Sequence, residues 1–296
     1  MNADWREAAR RIAKALRGAR ALSIFGLCGM TLEDQHRAFG LARALGAFVS
    51  VERPLLPTLT RGSLARHRLA LVAGGEPDFP LPEGMGGLRD DRLLTADAWR
   101  NLRILQRGRT SAEAEGYRAL YDTILSAGGA AFLFCADRAD DALRIELAAF
   151  RAECGVPRGL DYIQLTDVVN LLGAYETALE EAGGAHAAFA GGSEKAEDAY
   201  ALGELLRQNA IDAALLVGQS AEGAHAVLSA GVPLYAIGRD TPGAELCVTT
   251  APLGAEEGGT ILRDDGVPLA VPTVEKGGLS ALGEVLSFLM SEVGGC

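Results

Sequence analysis

No two cysteines in this sequence stand within a tight loop of one another. Its five, Cys28, Cys135, Cys154, Cys247 and Cys296, are scattered along 296 residues. Zinc and iron-sulfur sites usually draw at least two ligands from one short loop, so this spacing argues against both and leaves the cysteines as core thiols. Histidine is as sparse. His36, His67, His186 and His225 form no H-x-x-x-H or H-E-x-x-H element, which removes the common histidine metal motifs. Also missing is an apolar run of the roughly 18 to 20 residues needed to span a bilayer. The opening "MNADWREAARRIAKAL" lacks the continuous apolar core of a secretory signal, so a cytoplasmic location is expected. Basic charge is in short supply. With 28 Lys and Arg against 39 Asp and Glu the formal charge is -11, which disfavours nucleic acid and anionic membrane as partners because both require a basic face.

What is present is ordinary globular material, 49% hydrophobic and 23% charged, long enough for one large or two modest domains. Short apolar runs alternate with longer amphipathic ones. "DWREAARRIAKALRGA" has helical spacing, "ALSIFG" reads as a buried strand, "TLEDQHRAFGLARALG" as a helix capped by Thr31, and "AFVSV" as the next strand. The rhythm returns in "AAFLFC", in "DAALLVG" after a predicted helix "SEKAEDAYALGELLRQN", and in "VPLYAIG". Strands that are apolar throughout belong inside a parallel sheet covered on both faces. The expected fold is α/β, a doubly wound, mostly parallel Rossmann-like sheet. Between Pro54 and about Arg109 prolines and the cluster "EGMGGL" interrupt the pattern, which predicts a main domain of residues 1–55 and 126–296 with a smaller inserted lobe at 56–125. The Gly/Ala-rich "EEAGGAHAAFAGGSE" predicts a flexible connection before a helix capped by Ser193.

Three stretches could carry chemistry. "FGLCGMTLED" sets Gly26 and Gly29 between a strand and a helix start, the geometry that cradles phosphate. It lacks the third glycine of G-x-G-x-x-G and the lysine of a P-loop, so an ordinary strand-to-helix turn explains it better. Cys28 near that helix start has no histidine base close in sequence. "VGQSAEGAH" spaces Ser220 as G-x-S-x-x-G, not as the nucleophile elbow G-x-S-x-G, and His225 follows on the same helix. In "TDVVNLLGAYE", Asn170 is expected to be buried and bonded to a loop backbone. Finally, "GGTILRDDGVPLAV" predicts a hairpin of Thr260–Arg263 and Val267–Val271 across an Asp-Gly turn.

Taken in order, "SIFGLCGMTLEDQHRAFGLARALGAFVSV", "LALVAGGEPD", "TDVVNLLGAYETAL", "LGELLRQNAIDAALLVGQS" and "EEGGTILRDDGVPL" resemble the landmarks of the formylmethanofuran dehydrogenase B-like family, of the molybdopterin oxidoreductase superfamily. The resemblance runs from about Ala21 to Pro272. Active members of that family carry a cysteine-rich cluster segment and a metal-ligating cysteine in a Val-Cys-His-Gly-like stretch. Here the corresponding text is "VERPLLPTLTRG", with neither Cys nor His. The resemblance therefore implies the cofactor-free β subunit of the bacterial formyltransferase/hydrolase complex of one-carbon metabolism, with no cofactor, no metal and no catalytic residue of its own. Its implied partners are the amidohydrolase, formyltransferase and further subunits of a hetero-oligomer. Two other readings stay open. One is a subunit of an active tungsten or molybdenum pterin enzyme whose cluster-bearing part is a separate chain. The other is an independent small-molecule-binding Rossmann-like protein using the "FGLCGMT" and "VGQS" turns.

Because no clustered ligands exist to hold a metal, elemental analysis of the anaerobically purified chain should find no stoichiometric tungsten, molybdenum, iron or zinc. About one tungsten or molybdenum per chain would overturn that reading.

Overall fold

Strand β1 (Leu22–Gly26), buried at every position, is the seam of the first sheet. In the computed structural model it follows helix α1 (Asp4–Gly18) and leads through α2 (Leu32–Leu45) to β2 (Phe48–Val51), its parallel neighbour. The structure describes residues 4–51, 64–77, 79–135, 139–153, 160–165, 170–189, 195–264, 266–274 and 278–294. Thr31 caps α2 as expected, its hydroxyl accepting the Asp34 N–H at 3.1 Å. At the other end Gly46 takes the left-handed C-cap position.

The chain then enters a second sheet made of β3 (Leu69–Ala73), β4 (Gly86–Arg89), β5 (Ala130–Cys135) and β6 (Leu160–Leu165), in the order β4-β3-β5-β6 and parallel throughout. Between β4 and β5 lie α3 (Ala96–Gln106), α4 (Ala112–Glu115) and α5 (Arg118–Ala127), and α6 (Asp141–Glu153) precedes β6. Its core is aromatic. Trp99 packs on Phe132 and Phe150, with ring centroids 4.9 and 5.2 Å apart, and the buried indole N–H donates to the Leu93 carbonyl.

After this excursion come α7 (Leu171–Ala182), β7 (His186–Ala188), β8 (Lys195–Ala196), α8 (Leu202–Arg207), β9 (Ala213–Gly218), α9 (Ala221–Ser229), β10 (Leu234–Gly238) and β11 (Leu246–Thr249). They complete a sheet ordered β11-β10-β9-β1-β2-β7-β8. The five strands from β11 to β2 are parallel, while β7 and β8 add antiparallel pairs at the edge. The expected doubly wound α/β fold is present. The chain leaves β1 toward β2 and later returns to its other side through β9, so the sheet reverses direction between β1 and β9. The hairpin β12 (Gly259–Leu262) and β13 (Pro268–Val271) and helix α10 (Leu282–Gly294) close the chain.

The fold corrects four sequence expectations. The described residues divide into one unit drawn from 1–54, 168–263 and 268–296 and another from 55–167 with 264–267, so the lobe does not end at 125. The reason is β5: "AAFLFC" pairs along its length with β3 and β6 and not with β1. The helix expected at "SEKAEDAYALGELLRQN" is a strand, a 3-10 turn at Asp198–Tyr200 and the short α8, because Lys195 and Ala196 pair with β7 and the Leu202 N–H is held by Ser50. The expected flexible connection contains β7, while Ser193 lies outside the described residues. The hairpin strands stop one residue short on each side, leaving residues 263–267 as the connection, with Asp265 outside the described residues.

Gly266 in that connection has φ +75°. Gly266→Ala should lower stability by about 1 kcal/mol in urea unfolding, because the methyl group strains a left-handed backbone.

Candidate functional site

At the strand-end side of the β1–β9 reversal the loop after β1 crosses the end of β9. Leu27 sits at φ +60°, its N–H donating to the Val217 carbonyl at 2.8 Å, and Cys28 forms an isolated antiparallel bridge with Gln219. Backbone meets backbone here: a Cβ at Gly218 would lie 2.2 Å from the Cys28 carbonyl oxygen. The glycine serves chain crossing, which is a use of glycine distinct from letting a phosphate approach.

Beneath the loop lies a buried polar network. The Gln35 side chain, fully buried on α2, donates to the carbonyls of Leu27 at 2.9 Å and Asn170 at 3.2 Å and accepts from the Thr177 hydroxyl at 3.3 Å. Asn170, at the N-cap position of α7, has φ +59° and is 4% exposed. Its side chain does not cap its own helix. The amide donates to the Met30 carbonyl, and its oxygen accepts the Leu262 N–H of β12, both at 2.8 Å. Gly173 makes room for it, since a Cβ there would come within 2.0 Å of Asn170 Oδ1. The expectation that Asn170 serves a loop backbone holds, with two backbone segments served at once. Gln35 was missed, although it falls on the same helix face as buried Ala38, Phe39 and Ala42, where a polar residue in an apolar stripe is the available signal.

Within this first unit a cavity of about 720 Å³ opens at the ends of β1, β9, β10 and β11. Glycine and apolar groups such as Met30, Pro252, Leu253 and Leu282 form much of its wall, with Gln219 and Thr250 as neutral polar lining. Four carboxylates reach it, Asp34, Asp240, Glu256 and Glu257, and Arg239 is the one cation among the lining residues. Asp34 and Glu257 share Arg37, at 2.6 and 3.4 Å. Burial pushes the Asp34 carboxyl above its usual range in spite of that arginine. Acidic residues thus outnumber the single cationic residue along the cavity's lining.

The nucleophile candidates have structural duties. The Cys28 thiol is buried and donates to the Gly26 carbonyl at 3.2 Å. Ser220 caps α9, its hydroxyl accepting the Gly223 N–H. A serine-histidine contact does exist elsewhere, on paired positions of β2 and β7, where Ser50 Oγ lies 3.1 Å from His186 Nδ1. Ser50 Oγ also accepts the Leu202 N–H, and burial lowers the imidazole's pKa against the opposing pull of Asp198. With Ser50 1% exposed, that pair is a packed hydrogen bond and not a reactive dyad. Among the described residues no three His, Cys, Asp or Glu are placed to hold a metal ion.

Replacing Asn170 by alanine would strand the buried Met30 carbonyl and Leu262 N–H, and should cost about 2–4 kcal/mol of unfolding free energy. Asn170→Gly should cost about 1 kcal/mol less, since glycine accepts the left-handed backbone. Equal losses in the two variants would show that backbone strain plays no part.

No protein-family model matches the chain, and no curated protein does. Among solved structures, a chain in the crystal structure of the formyltransferase/hydrolase complex from Methylorubrum extorquens, determined with methylofuran, matches with TM-score 0.72 over 98% of this chain and 96% of that one. The two are 16% identical in sequence, so the likeness is one of fold, and it extends over nearly the whole of both chains.

Proposed function

We propose that this chain is a non-catalytic structural subunit of a formyltransferase/hydrolase complex. In such an assembly a formyl group passes from tetrahydromethanopterin to a methanofuran-like carrier and is hydrolysed to formate, on subunits other than this one. The observation that carries the reading is the end-to-end fold correspondence with a chain of the Methylorubrum complex, which leaves almost no part of either chain unmatched. The internal duties of Cys28, Ser220 and the Ser50–His186 pair support a scaffold in preference to a hydrolase.

A second reading is favoured by one specific feature. The "FGLCGMT" and "VGQS" turns meet at the Cys28–Gln219 bridge and both contribute to the 720 Å³ cavity, at the strand ends where doubly wound sheets hold ligands. On that reading the chain is a small-molecule binder whose ligand carries no phosphate, given the carboxylate lining.

Obligate interfaces bury more than about 2,000 Å², so a scaffold expressed alone should self-associate or aggregate. Co-expression with amidohydrolase and formyltransferase subunits of such a complex should yield a single stable assembly on size exclusion. A well-behaved monomer that ignores both partners would refute the scaffold reading.

A further inference from the structure

We propose that Glu33 is the chain's own anion at the N-terminus of α2, latching the β12–β13 hairpin onto that helix and closing the site to phosphate-bearing cofactors. A helix of 14 residues presents unsatisfied N–H groups and the positive end of its dipole at this point, and a phosphate there would follow from the turn's position after β1. In this chain two of those groups, the N–H of Asp34 and of Glu33, are already engaged. Thr31 takes the Asp34 N–H. The Glu33 carboxylate accepts from its own N–H and from Thr260, whose N–H and hydroxyl donate at 3.0 and 2.9 Å. Although partial burial works against it, these hydrogen bonds hold the Glu33 carboxyl below its ordinary range.

Sterics close the same place. A Cβ at Gly259 would lie 2.5 Å from Thr31 Cγ2 and 2.8 Å from Glu33 Oε2, so the hairpin backbone rests directly on the first turn of α2. One hairpin edge is held at two successive outward N–H groups, Thr260 by Glu33 and Leu262 by Asn170. On the cavity side, Asp34, Asp240, Glu256 and Glu257 oppose a second approach by phosphate. The phosphorylated pterin that the resemblance implies for active enzymes of its superfamily does not fit these residues. The hairpin is held by side chains of this chain, with no cofactor required.

The test rests on no assembly result: it compares unaltered and variant full chains in the same state, alone or within the co-expressed assembly, and its failure leaves the assembly reading standing. Glu33 is exposed, so Glu33→Ala leaves the core in place. Peptides covering residues 256–271 should exchange amide hydrogen about tenfold faster in Glu33→Ala than in the unaltered chain, the effect of losing charge-assisted hydrogen bonds. Sodium acetate, which replaces the lost carboxylate, should restore most of that protection, whereas chloride at equal ionic strength should not. The unaltered chain should respond to neither and should give no calorimetric binding of inorganic pyrophosphate. Unchanged exchange in Glu33→Ala, faster exchange that acetate does not restore, or pyrophosphate binding by the unaltered chain would each overturn the proposal.

Discussion

The strand-end region depends on one buried amide. Asn170 is buried, and both of its side-chain hydrogen-bonding ends are spent on main chain from distant parts of the sequence, the Met30 carbonyl after β1 and the Leu262 N–H in β12. An unpaired buried backbone group costs as much as a lost hydrogen bond, so those two segments are held in relation to one residue. The left-handed backbone of Asn170, the absence of a Cβ at Gly173 and the donation from Gln35 to the Asn170 carbonyl are conditions of that arrangement. The network is satisfied at each of these groups, which is the circumstance in which buried polar contacts specify a unique packing.

From this anchor the hairpin acquires an edge that is tied and an edge that is blunt. Thr260 and Leu262 direct their N–H groups away from β13, so their register partners Ala270 and Pro268 face outward on the other side. Pro268 has no N–H to offer there, which weakens this edge as a template for further strands. The hairpin is therefore a terminated element seated on α2 and α7. Its outward donors at Thr260 and Leu262 are matched by Glu33 and Asn170.

Much of the fold could be read locally. The runs around β1, β2, β9 and β10 are apolar at almost every position because both faces of a parallel sheet are covered, and the structure buries them accordingly. Thr31 was recognisable as a cap because capping acts over three residues. The second sheet was only half legible. "AAFLFC" announces a strand, but nothing in an apolar run says which sheet will receive it, and that was decided by a register with β3 that joins residues about 60 positions apart. The strand at β7 was hidden in a Gly/Ala-rich stretch of low β propensity, and it forms because β2 offers an edge for it to pair with.

The sequence by itself determined the α/β class, the positions of β1, β2, β9 and β10 in the central sheet, and the cap of α2. These follow from composition and from interactions that span less than one helical turn or one strand. The tertiary structure alone decided that β5 and β6 belong to a second sheet, that Ser50 meets His186, and that Glu33 reaches a hairpin 227 residues further along the chain. Each of these is a pairing of hydrogen-bonding groups with no local preference for one partner over another. Only the packing of each sheet's apolar faces against its own helices brings the chosen partners within about 3 Å of one another, and that packing is a property of the whole chain.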